Sequence, residues 1–292
     1  MPSLRHIRKR IQAVKNTEQI TRAMKMVAAA KFRRAQEILN LARPFAWQMQ
    51  AVLLRLASLQ QDAVAHPLLE PREKIESEDL IVLTADRGLC GSFNSNVIRR
   101  VEHYLLDHAD RREKINLITI GTKGYRYFAK QKHVHLERNL ENLLAHPDYH
   151  RAVEISEELA ERYQSGRVDR VTVVFNEFRS AVQQAVTFRT LLPLEKPRAV
   201  GEKPDYIDYI YEPEKTALID RLIHRYLANQ FYLTILESVA SEHGARMTAM
   251  ENASDNAREM IGRLTLIYNK ARQAAITKEL MEIVGGAEAL KG

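Results

Sequence analysis

The stretch SLRHIRKRIQAVKNTEQITRAMKMVAAAKFRRAQEILNLAR, residues 3–43, contains neither glycine nor proline. Its apolar side chains recur mostly at intervals of three and four residues: Leu4, Ile7, Ile11, Val14, Ile20, Met24, Val27, Ala35, Ile38 and Ala42. This spacing is typical of the seam along which two helices pair in a coiled coil. Ser3 is a suitable N-cap residue, and Pro44 is expected to interrupt or bend the helix.

A second long helix is predicted at the other end of the chain, because no proline occurs from Glu214 onward. Its apolar residues also step mainly by three or four: Leu218, Leu222, Leu233, Leu236, Val239, Met247, Met250, Ala253, Ala257, Ile261, Leu264, Ile267, Ala271 and Ala274. Helices of roughly 55–70 residues would be about 80–100 Å long, too long to be buried in one core. We therefore expect the two helices to pair antiparallel as a coiled coil.

The region between the helices alternates strand-like and helix-like patterns. Strands are predicted at 79–85, 115–121, 168–178 and 181–194, and helices at 92–109, 122–131 and 149–166. This alternation, closed by a hairpin, favours an α/β Rossmann-like domain. The predicted division is a helix at 1–65, the α/β domain at 75–195, a proline-marked linker at 196–213 and a helix at 214–288.

Positive charge is concentrated in the first helix, although the net charge of the 292 residues is only +7. Residues 1–34 carry ten lysines and arginines against one acid, Glu18; the rest carry 34 basic (44 minus 10) and 36 acidic (37 minus 1) residues. Three readings are open: a solvated face, a phosphate-binding surface for nucleic acid, or a docking surface for an acidic protein. The lack of aromatic residues before Phe32 weighs against nucleic acid.

The stretch LTADRGLCGSFN, residues 83–94, has the layout of a phosphate-binding or nucleophile loop. Two readings are open, a structural turn and a catalytic or ligand loop. A P-loop lysine and a GxGxxG spacing are both missing, which favours the turn. In that reading Gly88 and Gly91 supply backbone freedom, and Cys90, the single cysteine, is a small buried side chain.

The remaining candidates for chemistry are weak. His133 and His135 lack a cysteine or acidic partner at ligand spacing, and no catalytic triad can be assembled. We therefore predict no catalytic residue, no metal site and no cofactor. No run of about 18 apolar residues predicts a membrane span. The N-terminus lacks an apolar signal core, and its helical pattern continues past residue 30, so we expect it to belong to the mature protein.

Three stretches carry a family resemblance: IRKRIQAVKNTEQITRAMKMVAAAKFRRAQ (7–36), LTADRGLCGSFNSNV (83–97) and ARMTAMENASDNAREMIGRLTLIYNKARQAAITKELMEIVGGAEAL (245–290). In order and spacing they resemble gamma subunits of F-type ATP synthases, of the bacterial type. The resemblance implies a non-catalytic rotor shaft that couples proton-driven c-ring rotation to ATP synthesis or hydrolysis. The implied partners are a ring of alpha and beta subunits, the epsilon subunit and the c-ring, but no nucleic acid.

The resemblance also implies a peripheral position at the cytoplasmic face of the bacterial cell membrane, with membrane association only through the complex. Individual residues match the family's pattern. Met24, with Lys25 beside it, matches the position near an acidic loop of a beta subunit. Five polar or charged residues of the last helix match positions tied to the contact between shaft and ring. They are Arg246 in ARMTAM and, in KARQAAITKELMEI, Arg272, Gln273, Thr277 and Glu282. Arg8 and Arg22 are expected to contribute to the same contact through their charge.

Overall fold

The computed structural model describes residues 3–58, 66–180, 183–194 and 215–289. In chain order its helices and strands are α1 (Leu4–Ser58), β1 (Glu78–Leu83), α2 (Phe93–Asp107), β2 (Ile115–Ile120), α3 (Thr122–Phe128), β3 (His135–Leu140), α4 (Tyr149–Gln164), β4 (Arg170–Phe178), β5 (Gln184–Leu192) and α5 (Lys215–Ala289). Short 3₁₀ helices lie at Pro67–Leu69 and Ala109–Lys114.

The chain forms two compact units. Unit 1 comprises Met1–Ala28 and Met247–Gly292, and unit 2 comprises Ala29–Arg246. Each long helix therefore contributes to both units. The sequence-based division at residues 65, 75, 195 and 213 stays a prediction, because the predicted linker and the end of the first predicted helix lie outside the described residues.

Unit 2 contains a five-stranded sheet in the order β3-β2-β1-β4-β5. The first four strands are parallel, and β5 runs antiparallel to β4. All six residues of β1 are buried, as expected for a central strand covered on both faces. This order is that of a doubly wound α/β sheet, so the predicted Rossmann-like fold is confirmed.

The edge strand β3 was missed by the sequence pattern. Only Leu136 and Leu140 are apolar in HLERNL, and all six residues are exposed or half-buried. Strand signals are weak when neither face is fully buried. Within this strand His135 lies beside Glu137, with 3.3 Å between the imidazole Nε2 and the carboxylate Oε2.

In unit 2, α5 is buried on every side between Leu233 and Glu242. It shares one apolar cluster with β4 and with Leu39 of α1. The hydroxyl of Ser241 donates a 2.9 Å hydrogen bond to the carbonyl of Asn176 in β4. The predicted interruption at Pro44 is wrong, since α1 continues through it. Proline leaves the carbonyl four residues earlier without its helical partner, and that residue, Asn40, is exposed to water.

In unit 1, α1 and α5 pair along a heptad seam. Seven residues of α1 that alternate in steps of four and three are buried or half-buried: Ile7, Ile11, Val14, Glu18, Thr21, Lys25 and Ala28. The prediction that Ile20 and Val27 lie in the seam is wrong, because their side chains are 60% and 58% exposed. The strict repeat selects the neighbours Thr21 and Ala28 instead. Ile267 of α5 is likewise 51% exposed.

Candidate partner-binding surface on the paired helices

Three contacts within unit 1 fix the register of α1 against α5. The hydroxyl oxygens of Thr21 and Ser254 lie 2.7 Å apart, and Lys25 Nζ lies 2.6 Å from Glu251 Oε1. In addition, Arg258 Nε lies 3.4 Å from Glu18 Oε1. The two numbers in each pair add to 275 or 276, so the helices are antiparallel. The same register places Leu4, where α1 begins, level with Ala271 or Arg272.

The last part of α5 therefore extends past the start of α1. Every residue from Ile276 to Gly286 is exposed. Large apolar side chains occur there, with exposed fractions between 47% and 68%: Ile276, Leu280, Met281, Ile283 and Val284. We call Arg272–Gly286 the overhang. Exposed apolar surface of this kind commonly marks a site for another protein.

The structure brings four of the predicted coupling residues together on the overhang: Arg272, Gln273, Thr277 and Glu282. All four are exposed, and Glu282 lies 3.5 Å from Lys278 in an exposed pair. Their side chains are thus available to a partner. Their role in coupling stays a prediction.

The predicted residues on α1 differ in their surroundings. Arg8 and Arg22 are exposed, whereas Met24 and Lys25 are half-buried. The Lys25 ammonium group is bound to Glu251, so its charge is shared with α5. Arg8 and Arg22 therefore offer more of their charge to an acidic partner than Lys25 does.

Arg246 acts inside unit 2. Its Nη1 donates a 2.5 Å hydrogen bond to the carbonyl of Gly88, and its Nη2 lies 2.6 Å from Glu242 Oε1. Burial raises the pKa of the Glu242 carboxyl, and the guanidinium opposes that rise. Through these two bonds Arg246 connects the loop after β1 to α5. Its predicted contact with a partner stays a prediction.

The loop after β1 is a turn held from several sides. Cys90 is 1% exposed, and burial raises the pKa of its thiol, which lowers its reactivity. Gly91 has a φ of 57°, but the other left-handed residue is Leu89, with a φ of 64°, and not Gly88. The prediction that Gly88 supplies backbone freedom is therefore wrong.

In doubly wound folds, ligands bind where the carboxyl ends of neighbouring strands diverge. Here that position lies between β1 and β4. The side-chain amide of Asn176, at the end of β4, donates to the carbonyl of Phe93, and Ser241 of α5 donates to the carbonyl of Asn176. The side-chain oxygen of Asn94 accepts from the amide of Ala85. Groups of the chain itself therefore occupy this crevice.

Sequence reasoning missed one cluster of titratable side chains in unit 2. His66, Asp220 and His224 place potential ligand atoms within 4.8 Å of one another. His66 and Asp220 are 154 positions apart, so only the fold brings them together. The i, i+4 spacing of Asp220 and His224 is the one signal that the sequence contains. The cluster weighed from sequence, His133 with His135, lies elsewhere in unit 2.

None of the helices within the described residues is long and apolar enough to cross a membrane. Two long paired helices joined to a doubly wound α/β domain are thus the defining features of this class of protein. A family model described as ATP synthase matches residues 3–290. The chain belongs to this family, and its relatives are gamma chains.

Two curated relatives illustrate the match. The ATP synthase gamma chain of Anaeromyxobacter sp. (strain Fw109-5) is 50% identical over 293 residues, covering 100% of both chains. That of Geobacter metallireducens is 47% identical over 292 residues, with the same coverage. Gamma chains are non-catalytic subunits, and this chain is accordingly a non-catalytic subunit of ATP synthase.

Solved structures agree with the fold. The central stalk and c-ring structure of Tetrahymena thermophila mitochondrial ATP synthase contains a chain that is 27% identical, with a TM-score of 0.59. The match covers 80% of this chain and 99% of that one. A chain of the Euglena gracilis mitochondrial ATP synthase is 20% identical, with a TM-score of 0.69 and coverage of 98% and 94%. The second likeness concerns the fold alone.

Proposed function

We propose that this chain is the central rotor shaft of ATP synthase, which couples proton-driven c-ring rotation to ATP synthesis or hydrolysis. The observation that carries the proposal is the overhang of α5. It exposes a row of large apolar side chains that α1 is too short to cover. A ring of alpha and beta subunits around unit 1 would cover them.

The basic surface of α1 supports the same partner. Arg8 and Arg22 are exposed, and each directly follows a buried seam residue, Ile7 or Thr21. Exposed ion pairs contribute only about 0.2–1 kcal/mol each, so acidic loops of the ring can attract the shaft at several angles without locking it. Small seam residues, such as Ala28 with 1% exposure, allow the two helices to approach closely.

Coupling follows from asymmetry. A shaft made of two unlike helices presents a different surface to each of three chemically identical beta subunits. Each tenfold difference in nucleotide affinity between the sites needs about 1.4 kcal/mol of differential contact. By linkage, a shaft angle that favours nucleotide binding at one site is itself favoured when that site is occupied. No catalytic residue on this chain is needed.

In this proposal unit 2 contacts the remaining partners. The α/β domain contacts the epsilon subunit and the c-ring, so the chain lies at the cytoplasmic face of the bacterial membrane and meets the membrane only through the complex. The hydrogen bond from Arg246 of α5 to the Gly88 carbonyl ties the loop after β1 to the long helix, which would stiffen the attachment through which torque passes.

The test is charge reversal on α1. Arg8→Glu with Arg22→Glu should lower proton-driven ATP synthesis by the reconstituted complex several-fold. Circular dichroism should show that the helices remain folded. The matched control is Arg126→Glu with Lys132→Glu on unit 2. Full ATP synthesis by the α1 variant would refute docking through these charges.

Copurification separates this function from a nucleic-acid adaptor, the alternative that the basic helix raises. The shaft should copurify with alpha and beta subunits and bind no DNA in a salt-dependent manner. Steep loss of DNA binding between about 50 and 200 mM salt, without a bound ring, would favour the adaptor instead.

A further inference from the structure

We infer that His66, Asp220 and His224 form a binding site for a divalent transition cation of the zinc type. Nε2 of His66 lies 3.1 Å from Asp220 Oδ1, and Nε2 of His224 lies 3.9 Å from the same oxygen. The two imidazole rings meet edge to face with 6.2 Å between their centroids. Two imidazoles and one carboxylate are a ligand set that suits zinc and its neighbours.

The three ligands are attached to firm parts of unit 2. Asp220 and His224 are one turn apart on α5, so their spacing is set by the helix. His66 precedes the 3₁₀ helix at Pro67–Leu69, and its Nδ1 accepts a 3.2 Å hydrogen bond from the amide of Leu68. Leu68 is fully buried, so it fixes the backbone beside His66.

The separations need only a small adjustment. In a tetrahedral zinc site with bonds of about 2.0–2.2 Å, the donor atoms lie about 3.3–3.5 Å apart. The His66–Asp220 distance is already close to this value. The side chain of His224 is 31% exposed, so it can turn toward the other two ligands. Solvent can supply the fourth ligand, because the Asp220 side chain is 58% exposed.

Binding has a specific chemical consequence at His66. Because Nδ1 accepts the hydrogen bond from the Leu68 amide, the neutral ring carries its proton on Nε2, which faces Asp220. A cation on Nε2 takes that position, and the ring proton moves to Nδ1. The hydrogen bond from the Leu68 amide is then lost. This loss makes the site weaker than a structural zinc site with a matched second shell.

Occupancy would join two parts of the chain that are 154 positions apart. It would tie the segment before β1 to α5, and a ligand that binds only the folded state stabilises it. Oxygen-preferring cations such as Mg²⁺ would bind poorly, since two of the three donors are nitrogens. The inference concerns unit 2 and does not depend on rotation or on the ring.

The experiment is a titration of the purified full chain with Co²⁺, followed by visible absorption, and with Zn²⁺, followed by calorimetry. We expect one cation per chain, a higher Tm with Zn²⁺, and faster amide exchange at Leu68. Asp220→Asn and His224→Gln should each weaken binding at least tenfold.

The matched control is His135→Ala, which removes the exposed histidine beside Glu137 and should leave binding unchanged. Asp220 is largely exposed and His224 partly so, and circular dichroism should show that both variants remain folded. Equal Zn²⁺ affinity in His224→Gln and the unaltered chain would overturn the inference. So would the absence of binding in the unaltered chain.

Discussion

The hydroxyl of Thr21 lies 2.7 Å from that of Ser254 in the seam between α1 and α5, and both residues are buried. Thr21 Oγ1 also lies 3.0 Å from the carbonyls of Thr17 and Glu18, so it has acceptors within its own helix as well. One buried polar pair can fix the register of a coiled coil, because any slip separates its two groups. This pair holds the shaft helices in the alignment that creates the overhang.

A double-mutant cycle tests that pair. Thr21→Val should lower the free energy of unfolding by about 1 kcal/mol, because it leaves the buried Ser254 hydroxyl without its partner across the seam. Ser254→Ala should cost less, since Thr21 keeps its own helical acceptor. The double variant should cost less than the sum, with a coupling of about 0.5–1.5 kcal/mol by urea unfolding. Additive losses would show that the two hydroxyls do not interact.

Arg246 offers a test of the loop after β1. Arg246→Gln removes the hydrogen bond to Gly88 and leaves Glu242 unpaired in a buried site. We expect a loss of about 2–4 kcal/mol in stability and faster reaction of the Cys90 thiol with a thiol reagent. Arg263→Gln, which breaks an exposed pair with Glu259, is the control and should change neither by much. An unchanged thiol rate in Arg246→Gln would rule out the holding role.

His243 predicts how stability depends on pH. Burial, with Lys31 and Arg246 nearby, lowers the pKa of its imidazole to about 4. Between pH 6.5 and 4 the His243 imidazole is protonated in the unfolded chain but not in the folded chain. The free energy of unfolding therefore falls as the pH falls. His243→Gln should flatten this part of the profile by about 1–3 kcal/mol. The same slope in both proteins, measured by urea unfolding at several pH values, would contradict the assignment.

Two glycines with positive φ should respond very differently to alanine. A Cβ at Gly121, whose φ is 97°, would lie 1.8 Å from the backbone oxygen of Thr84. Gly121→Ala should therefore prevent stable folding or cost more than about 3 kcal/mol. At Gly166, with a φ of 74° and no atom within 4 Å, alanine should cost only about 1–2 kcal/mol. Similar Tm values for the two variants would contradict the close approach.

The sequence predicted the two long helices, four strands and the sheet class, because these depend on local periodicity. The sequence pattern placed Ile20 in the seam, but the buried residue there is the polar Thr21. Which residues are buried in a seam depends on the partner helix, and periodicity along one helix does not show this. It missed β3, whose polar residues give little pattern, and the cluster around His66, which depends on contacts across 154 positions. The predicted coupling residues on the overhang lie together. The bond from Arg246 to the Gly88 carbonyl was not predicted, because it joins residues 158 positions apart.

The most direct test of the rotor proposal is rotation itself. In a complex of this chain with alpha and beta subunits, Cys90→Ala removes the native thiol, and His103→Cys on the exposed face of α2 provides a site for a probe. With the ring fixed to a surface and ATP supplied, we expect the probe to turn in one direction, in steps that follow the three-fold symmetry of the ring. ATP hydrolysis at the normal rate with a stationary probe would contradict it.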